Sequence, residues 1–145
     1  MPVSDSRLVR PAPSASVTEN LKRFFAADSD DNVVAAWLFG SEARRTARIN
    51  SDVDVAVLLR IVPPRTLAGL PTDLTEALAR TCGERRVDVV VADTACADLV
   101  HRVLRDGVLL LDREQSARVR FEVKKRSEYF GLKPFLDRYR AAPSP

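Results

Sequence analysis

Apolar and polar positions alternate along this chain in two rhythms, one near 3.6 residues and one near two. Val17, Leu21, Phe24 and Phe25 recur at helical spacing behind Ser16-Val-Thr-Glu19, a capping-box pattern, and predict a first helix ending near Ala27. The acidic cluster Asp28 to Asp31 follows and reads as a solvated turn, because its acids do not alternate as calcium ligands do. Val33 to Phe39 is a continuous apolar run and predicts a strand, with Trp37 packed in the core or on a sheet face. A short helix is expected from Ser41 to about Thr46, and a second strand from Asp52 to Leu59. After Pro63-Pro64, the residues Leu67, Leu70, Leu74, Ala77 and Leu78 mark an amphipathic helix, with Pro71 in its first turn and Gly83 as its C-terminal cap.

Arg86 to Val91 predicts a third strand. Leu99, Val100, Val103 and Leu104 predict a helix ending at Gly107, and Val108 to Leu111 a short fourth strand. Asp112-Arg-Glu-Gln115 resembles a helix start. The long helical stretch behind it should be bent or split by Gly131 and Pro134. This order implies an α/β (α+β) fold: a small mixed sheet of about four strands flanked by helices, with further helices at the C-terminus. The expected organisation is a mobile segment over residues 1–15, one domain over 16–140 and a tail over 141–145.

Composition narrows the function classes. The chain has 145 residues, 46% hydrophobic and 30% charged, which fits one globular domain with a modest core. The net charge of +3 is mild and fits an arginine-rich solvated surface, or affinity for a phosphate-rich ligand or an acidic partner. Cys82 and Cys96 have neither disulfide-framework nor metal-ligand spacing and read as idle thiols in a reducing compartment. His101 is the sole histidine and lies in a predicted helix, so zinc chemistry has no support. No apolar leader and no membrane-length apolar run are visible, and a cytoplasmic location is expected.

The chemistry concentrates between Leu38 and Leu59. Asp52 and Asp54 sit in an apolar run, and two acids there are costly unless a cation accompanies them. Positions two apart on a strand share a face, leaving Val53, Val55 and Val57 for the opposite, core face. Hard oxygen ligands suit Mg²⁺. Gly40-Ser41 ends the preceding strand, where free backbone N–H groups and a glycine that allows close approach would receive phosphate. Together these describe a site for a nucleoside triphosphate with Mg²⁺.

Gly40-Ser41, ten residues, then Asp52-Val53-Asp54 resembles the signature of the DNA polymerase β-like nucleotidyltransferases. The short chain and the form Gly40-Ser41-x-Ala43-Arg44 resemble the minimal nucleotidyltransferases, antitoxin partners of HEPN ribonuclease toxins. The resemblance runs from about Val17 to Arg140. It implies the polymerase β-like fold and one or two Mg²⁺ ions on Asp52, Asp54 and a third carboxylate, for which Asp88 is the candidate. The competing reading of Asp88 is an edge acid paired with Arg85 or Arg86. The resemblance also implies outer phosphates at Gly40 and Ser41. Arg44 matches the family arginine, either as a phosphate contact or as an ion pair fixing the turn. Arg45 stands where many relatives have glycine, which bears on the backbone shape there.

The implied activity is transfer of AMP from ATP to a hydroxyl, a tyrosine in the family, of a cognate HEPN-type toxin with which the chain would assemble. No membrane and no direct nucleic-acid contact are expected. The alternatives are a small-molecule, aminoglycoside-type nucleotidyltransferase and a binding-only antitoxin. The acceptor site should be an open groove. Tyr129, Phe130, Phe135 and Tyr139 would either dock a partner or cover this chain's own sheet, the latter for at least half of them.

Overall fold

The computed structural model describes residues 13–27, 32–41, 43, 51–62 and 71–141. The elements run α1 (Pro13–Ala27), β1 (Val33–Phe39), β2 (Val53–Leu59), α2 (Pro71–Thr81), β3 (Val87–Val91), a 3₁₀ turn (Ala92–Thr94), α3 (Ala97–Asp106), β4 (Val108–Asp112) and α4 (Gln115–Ala141). The four strands form one sheet in the order β3-β2-β1-β4. The pairs β1/β2 and β1/β4 are antiparallel and β2/β3 is parallel, so the sheet is mixed as the sequence predicts.

The alternation along each strand divides the core in two. On one face Val53, Val55 and Val57 of β2 join Val33, Ala36 and Leu38 of β1 under Val17, Leu21 and Phe25 of α1 and Leu78 of α2. On the other, Trp37, Ala56 and Leu58 lie under Val103, Leu99 and Leu104 of α3 and Ala117 and Phe121 of α4. Each fully buried Val, Leu or Phe contributes about 1.5–3 kcal/mol relative to exposure. The doubly covered sheet explains why β1 and β2 read as continuous apolar runs. Trp37 is buried, with its ring 6.1 Å from that of Phe121.

Helix ends depart from the sequence pattern in informative ways. The first helix starts at Pro13, three residues before Ser16, so Ser16 is not its cap. Proline suits a first helical turn because its missing N–H would be unpaired there anyway. Residues 1–12 of the expected mobile segment lie outside the described residues. α2 ends as predicted at Gly83, with φ +71°. There the Glu84 N–H donates to the Ala79 carbonyl (2.7 Å) and the Gly83 N–H to that of Arg80 (3.3 Å), the two bonds of a Schellman motif. α3 ends at Gly107, also as predicted. Asp112, expected to start the last helix, is instead the final residue of β4. The helix begins at Gln115, and the Glu114 carbonyl takes its first backbone bond, from Arg118 at 3.0 Å.

Pro134 does not split that helix, which runs through it to Ala141. Exposed side chains around Pro134 leave room on the helix surface for the ring. Phe130, Leu132, Phe135 and Tyr139 are all exposed, Tyr139 at 82%. Of the four aromatics, at least half of them expected to cover the sheet, only Tyr129 is not exposed, and it packs on His101, with Phe130 edge-on to both rings. The Tyr129 and His101 rings stack at 3.7 Å and 1°. The sheet face is already filled by Ala117 and Phe121 farther up the helix. His101 is half-buried, Cys82 is buried and Cys96 exposed, and both thiols are free. No helix among the described residues is long and apolar enough to cross a membrane.

Candidate active site

The end of β1 and the start of β2 lie side by side, with Phe39 opposite Asp54. The chain leaves β1 through a turn at Gly40, whose φ is +76°. A side chain at this position would be strained by that angle alone, and a Cβ would also overlap the Asp54 Oδ2 and lie 3.3 Å from its Cγ. Glycine is thus required twice: for the left-handed turn and for the approach of this turn to the carboxylate. Asp54 is the one position of β2 that is not buried. Ser41 and Ala43 continue the turn. The expected short helix from Ser41 to Thr46, together with Arg44, Arg45 and Arg48, otherwise lies outside the described residues.

The parallel pairing of β2 and β3 sets Asp54 directly beside Asp88. The side chains at Asp54, Ala56 and Leu58 alternate with the buried valines, so both acids lie on the face covered by α3 and α4. The strand starts later than expected, at Val53, so Asp52 stands just outside β2. It is held close nevertheless: the Val53 N–H donates to the Arg86 carbonyl (2.9 Å), and an Arg85 guanidinium N–H donates to the Ser51 carbonyl.

Arg86 lies between the two outer acids, with its Nε 3.9 Å from Asp52 Oδ2 and 3.8 Å from Asp88 Oδ1. These distances are too long for hydrogen bonds, and the Arg86 side chain is 76% exposed, so the pairing holds Asp88 only weakly. Asp52 and Asp88 are themselves about half exposed, at 46% and 48%. Asp88 therefore has both relations that its sequence position offers, a neighbour of Asp54 and an edge acid near Arg86. Among the described residues, no three His, Cys, Asp or Glu side chains converge closely enough to form a ready cation cage. The donor chemistry nonetheless fits Mg²⁺, with hard, accessible carboxylate oxygens, two of them on adjacent strands; the exposed Arg86 guanidinium now lies between Asp52 and Asp88, where a metal ion would have to displace it.

Some neighbouring residues gave no signal in the sequence. Phe39, Leu99, Arg102 and Asp106 line a cavity against Gly40. Only the spacing of Leu99, Arg102 and Asp106, which puts them on one side of a helix, could have pointed to them.

A glycine turn thus abuts one carboxylate of a strand, with a second acid in register beside it. Residues 19–116 match the model of the polymerase β nucleotidyltransferase family, and the chain belongs to that family. Among solved structures it is similar to a toxin–antitoxin complex with AMP-PNP, at 25% identity and TM-score 0.63, covering 88% of this chain and 98% of that one. It is also similar to a minimal nucleotidyltransferase, at 28% identity and TM-score 0.53, covering 66% of this chain and 93% of the other. A third similar structure holds a tri-AMPylated Shewanella oneidensis HEPN toxin with its MNT antitoxin, at 24% identity and TM-score 0.62, covering 86% of this chain and 99% of that one. No curated protein sequence gives a significant match.

Proposed function

We propose that this chain is an antitoxin of the minimal nucleotidyltransferase type, which transfers AMP from ATP to a hydroxyl of a cognate HEPN-type toxin and so neutralises it. The observation that carries the reading is the Gly40 backbone set against the Asp54 carboxylate, with Asp88 in register beside it. The structures with AMP-PNP and with an AMPylated HEPN toxin support this choice of nucleotide and acceptor.

In this reading Asp52, Asp54 and Asp88 would hold one or two Mg²⁺ ions, which when bound supply positive charge to the reacting phosphate oxygens. Gly40 and Ser41 bind the outer phosphates through backbone N–H groups and the hydroxyl, and the proposed role of Arg44 is a further phosphate contact or an ion pair that fixes the turn. The acceptor oxygen attacks the α-phosphorus, the bond from that phosphorus to the bridging oxygen breaks, and pyrophosphate leaves. In the alternative to metal binding by Asp88, that carboxylate takes the acceptor proton as the general base. Most of the rate enhancement would come from holding these groups in line and neutralising their charge. The chain would act in the cytoplasm, where ATP and the reduced state of its two thiols are at hand.

Incubating the chain and its partner with ATP and Mg²⁺, then measuring both intact masses, tests the proposal. The expected result is one or more AMP residues added to the partner and none to this chain. Exclusive labelling of a small molecule in cell extract would establish the aminoglycoside-type alternative. Undiminished neutralisation by an Asp52→Asn chain, with no adduct on the partner, would establish a binding-only antitoxin. The exposed Phe130, Phe135 and Tyr139 give that reading its specific support, since they present apolar surface without chemistry.

A further inference from the structure

Between the Gly40 turn and α3 lies a cavity of about 190 Å³, lined by Phe39, Gly40, Leu99, Arg102 and Asp106. It lies on the sheet face that carries Asp54 and Asp88, one strand spacing from Asp54, because Phe39 is the β1 partner of that acid. It is smaller than the roughly 300–1,000 Å³ of pockets that enclose a whole small-molecule ligand, and so suits one part of a nucleotide.

The arginines around it differ in how firmly they are held. Arg105 is committed to Asp106, donating from Nε to Oδ1 at 3.0 Å and from the guanidinium terminus to Oδ2 at 2.8 Å. That hydrogen bond, with the charge of Asp106, raises the Arg105 pKa above its ordinary value. Asp98 is hydrogen-bonded by Arg140 at 3.2 Å and lies 3.8 Å from Arg102. Arg102 has the loosest of these contacts and lines the cavity with its side chain 57% exposed, so it is the arginine there most readily turned toward a phosphate.

We propose that Arg102 holds the outermost phosphate of the nucleoside triphosphate, with the cavity between α3 and the Gly40 turn as the seat of its pyrophosphate portion. This rests on the nucleotidyltransferase reading above. In-line displacement puts the acceptor and the leaving pyrophosphate on opposite sides of the α-phosphorus. A cavity on the Gly40 side therefore serves the leaving group, and the acceptor approaches from the Asp88 edge. Phe39 and Leu99 wall the cavity beside the guanidinium, whose bond to a phosphate oxygen is charge-assisted.

Calorimetry with Mg²⁺–ATP, pyrophosphate and AMP on the wild-type chain, Arg102→Ala and Arg102→Lys tests the assignment. Arg102→Ala should weaken ATP and pyrophosphate binding by about 10- to 100-fold and AMP binding by less than about twofold, and Arg102→Lys should fall between. Equal losses for ATP and AMP would mean that the cavity seats the nucleoside, and would overturn the assignment. Wild-type affinity for ATP in Arg102→Ala would overturn it alone, leaving the parent reading intact. Failure of the wild-type chain to bind ATP would overturn both. Thermal melts of each variant separate these outcomes from loss of fold.

Discussion

Asp54→Asn is expected to give a folded protein whose AMP transfer is at least about 100-fold below wild type, the scale on which losing one group that stabilises transition-state charge is felt. Asn keeps the volume and one acceptor oxygen but carries no charge to offer a cation. Asp54 lies beside Asp88 and against Gly40, and replacing it removes like-charge repulsion, so the fold should not suffer. Asp52→Asn should behave in the same way, with stability within about 0.5 kcal/mol of wild type because its side chain is half exposed. Asp88→Asn should also be inactive while retaining part of its nucleotide binding, since it is the acid farthest from the phosphate turn. Transfer from radiolabelled ATP, measured beside a thermal melt, decides these cases. Near-normal transfer by Asp52→Asn would sink the assignment of the acids.

Gly40→Val is expected to abolish nucleotide binding and transfer together. Asp54 already presses on this turn, so a branched side chain meets an acid even before any ligand arrives. The left-handed φ adds about 1–3 kcal/mol of backbone strain. Gly40→Ala separates the contributions when combined with Asp54→Ala. The double variant should recover part of the stability lost by Gly40→Ala, because the clashing carboxylate is gone, but none of the activity. Unchanged ATP affinity in Gly40→Val would mean that the phosphates lie elsewhere.

The sheet was legible because β1, β2 and β3 are short, rich in valine and punctuated by turn residues. A buried strand of that kind carries its own signal. The neighbourhood of Asp54 and Asp88 followed from period two alone, once β2 and β3 were side by side. What the one-dimensional pattern could not carry was the approach of Gly40 to Asp54, a contact made across a strand pair. The position of Arg86 between Asp52 and Asp88 likewise depends on how the start of β2 is held against the residue just before β3. The aromatics of α4 misled for a different reason. Spacing says which residues share a side of a helix, not whether the body beneath is long enough to cover them. The sheet ends under Phe121, and the residues beyond Tyr129 extend past it.

The register of β3 carries a consequence for folding. Successive residues of a strand point to opposite faces, so a slip of one residue would send Asp88 into the valine-filled side beneath α2. A carboxylate buried there without a partner costs several kcal/mol. The Schellman turn through Gly83 and Glu84, both at positive φ, fixes where the chain re-emerges from α2. The Val53 bond to the Arg86 carbonyl then locks the first rung. Asp88 thus proofreads the pairing of its own strand: a misthreaded molecule pays for the acid at once, and every molecule that passes has the acid in place.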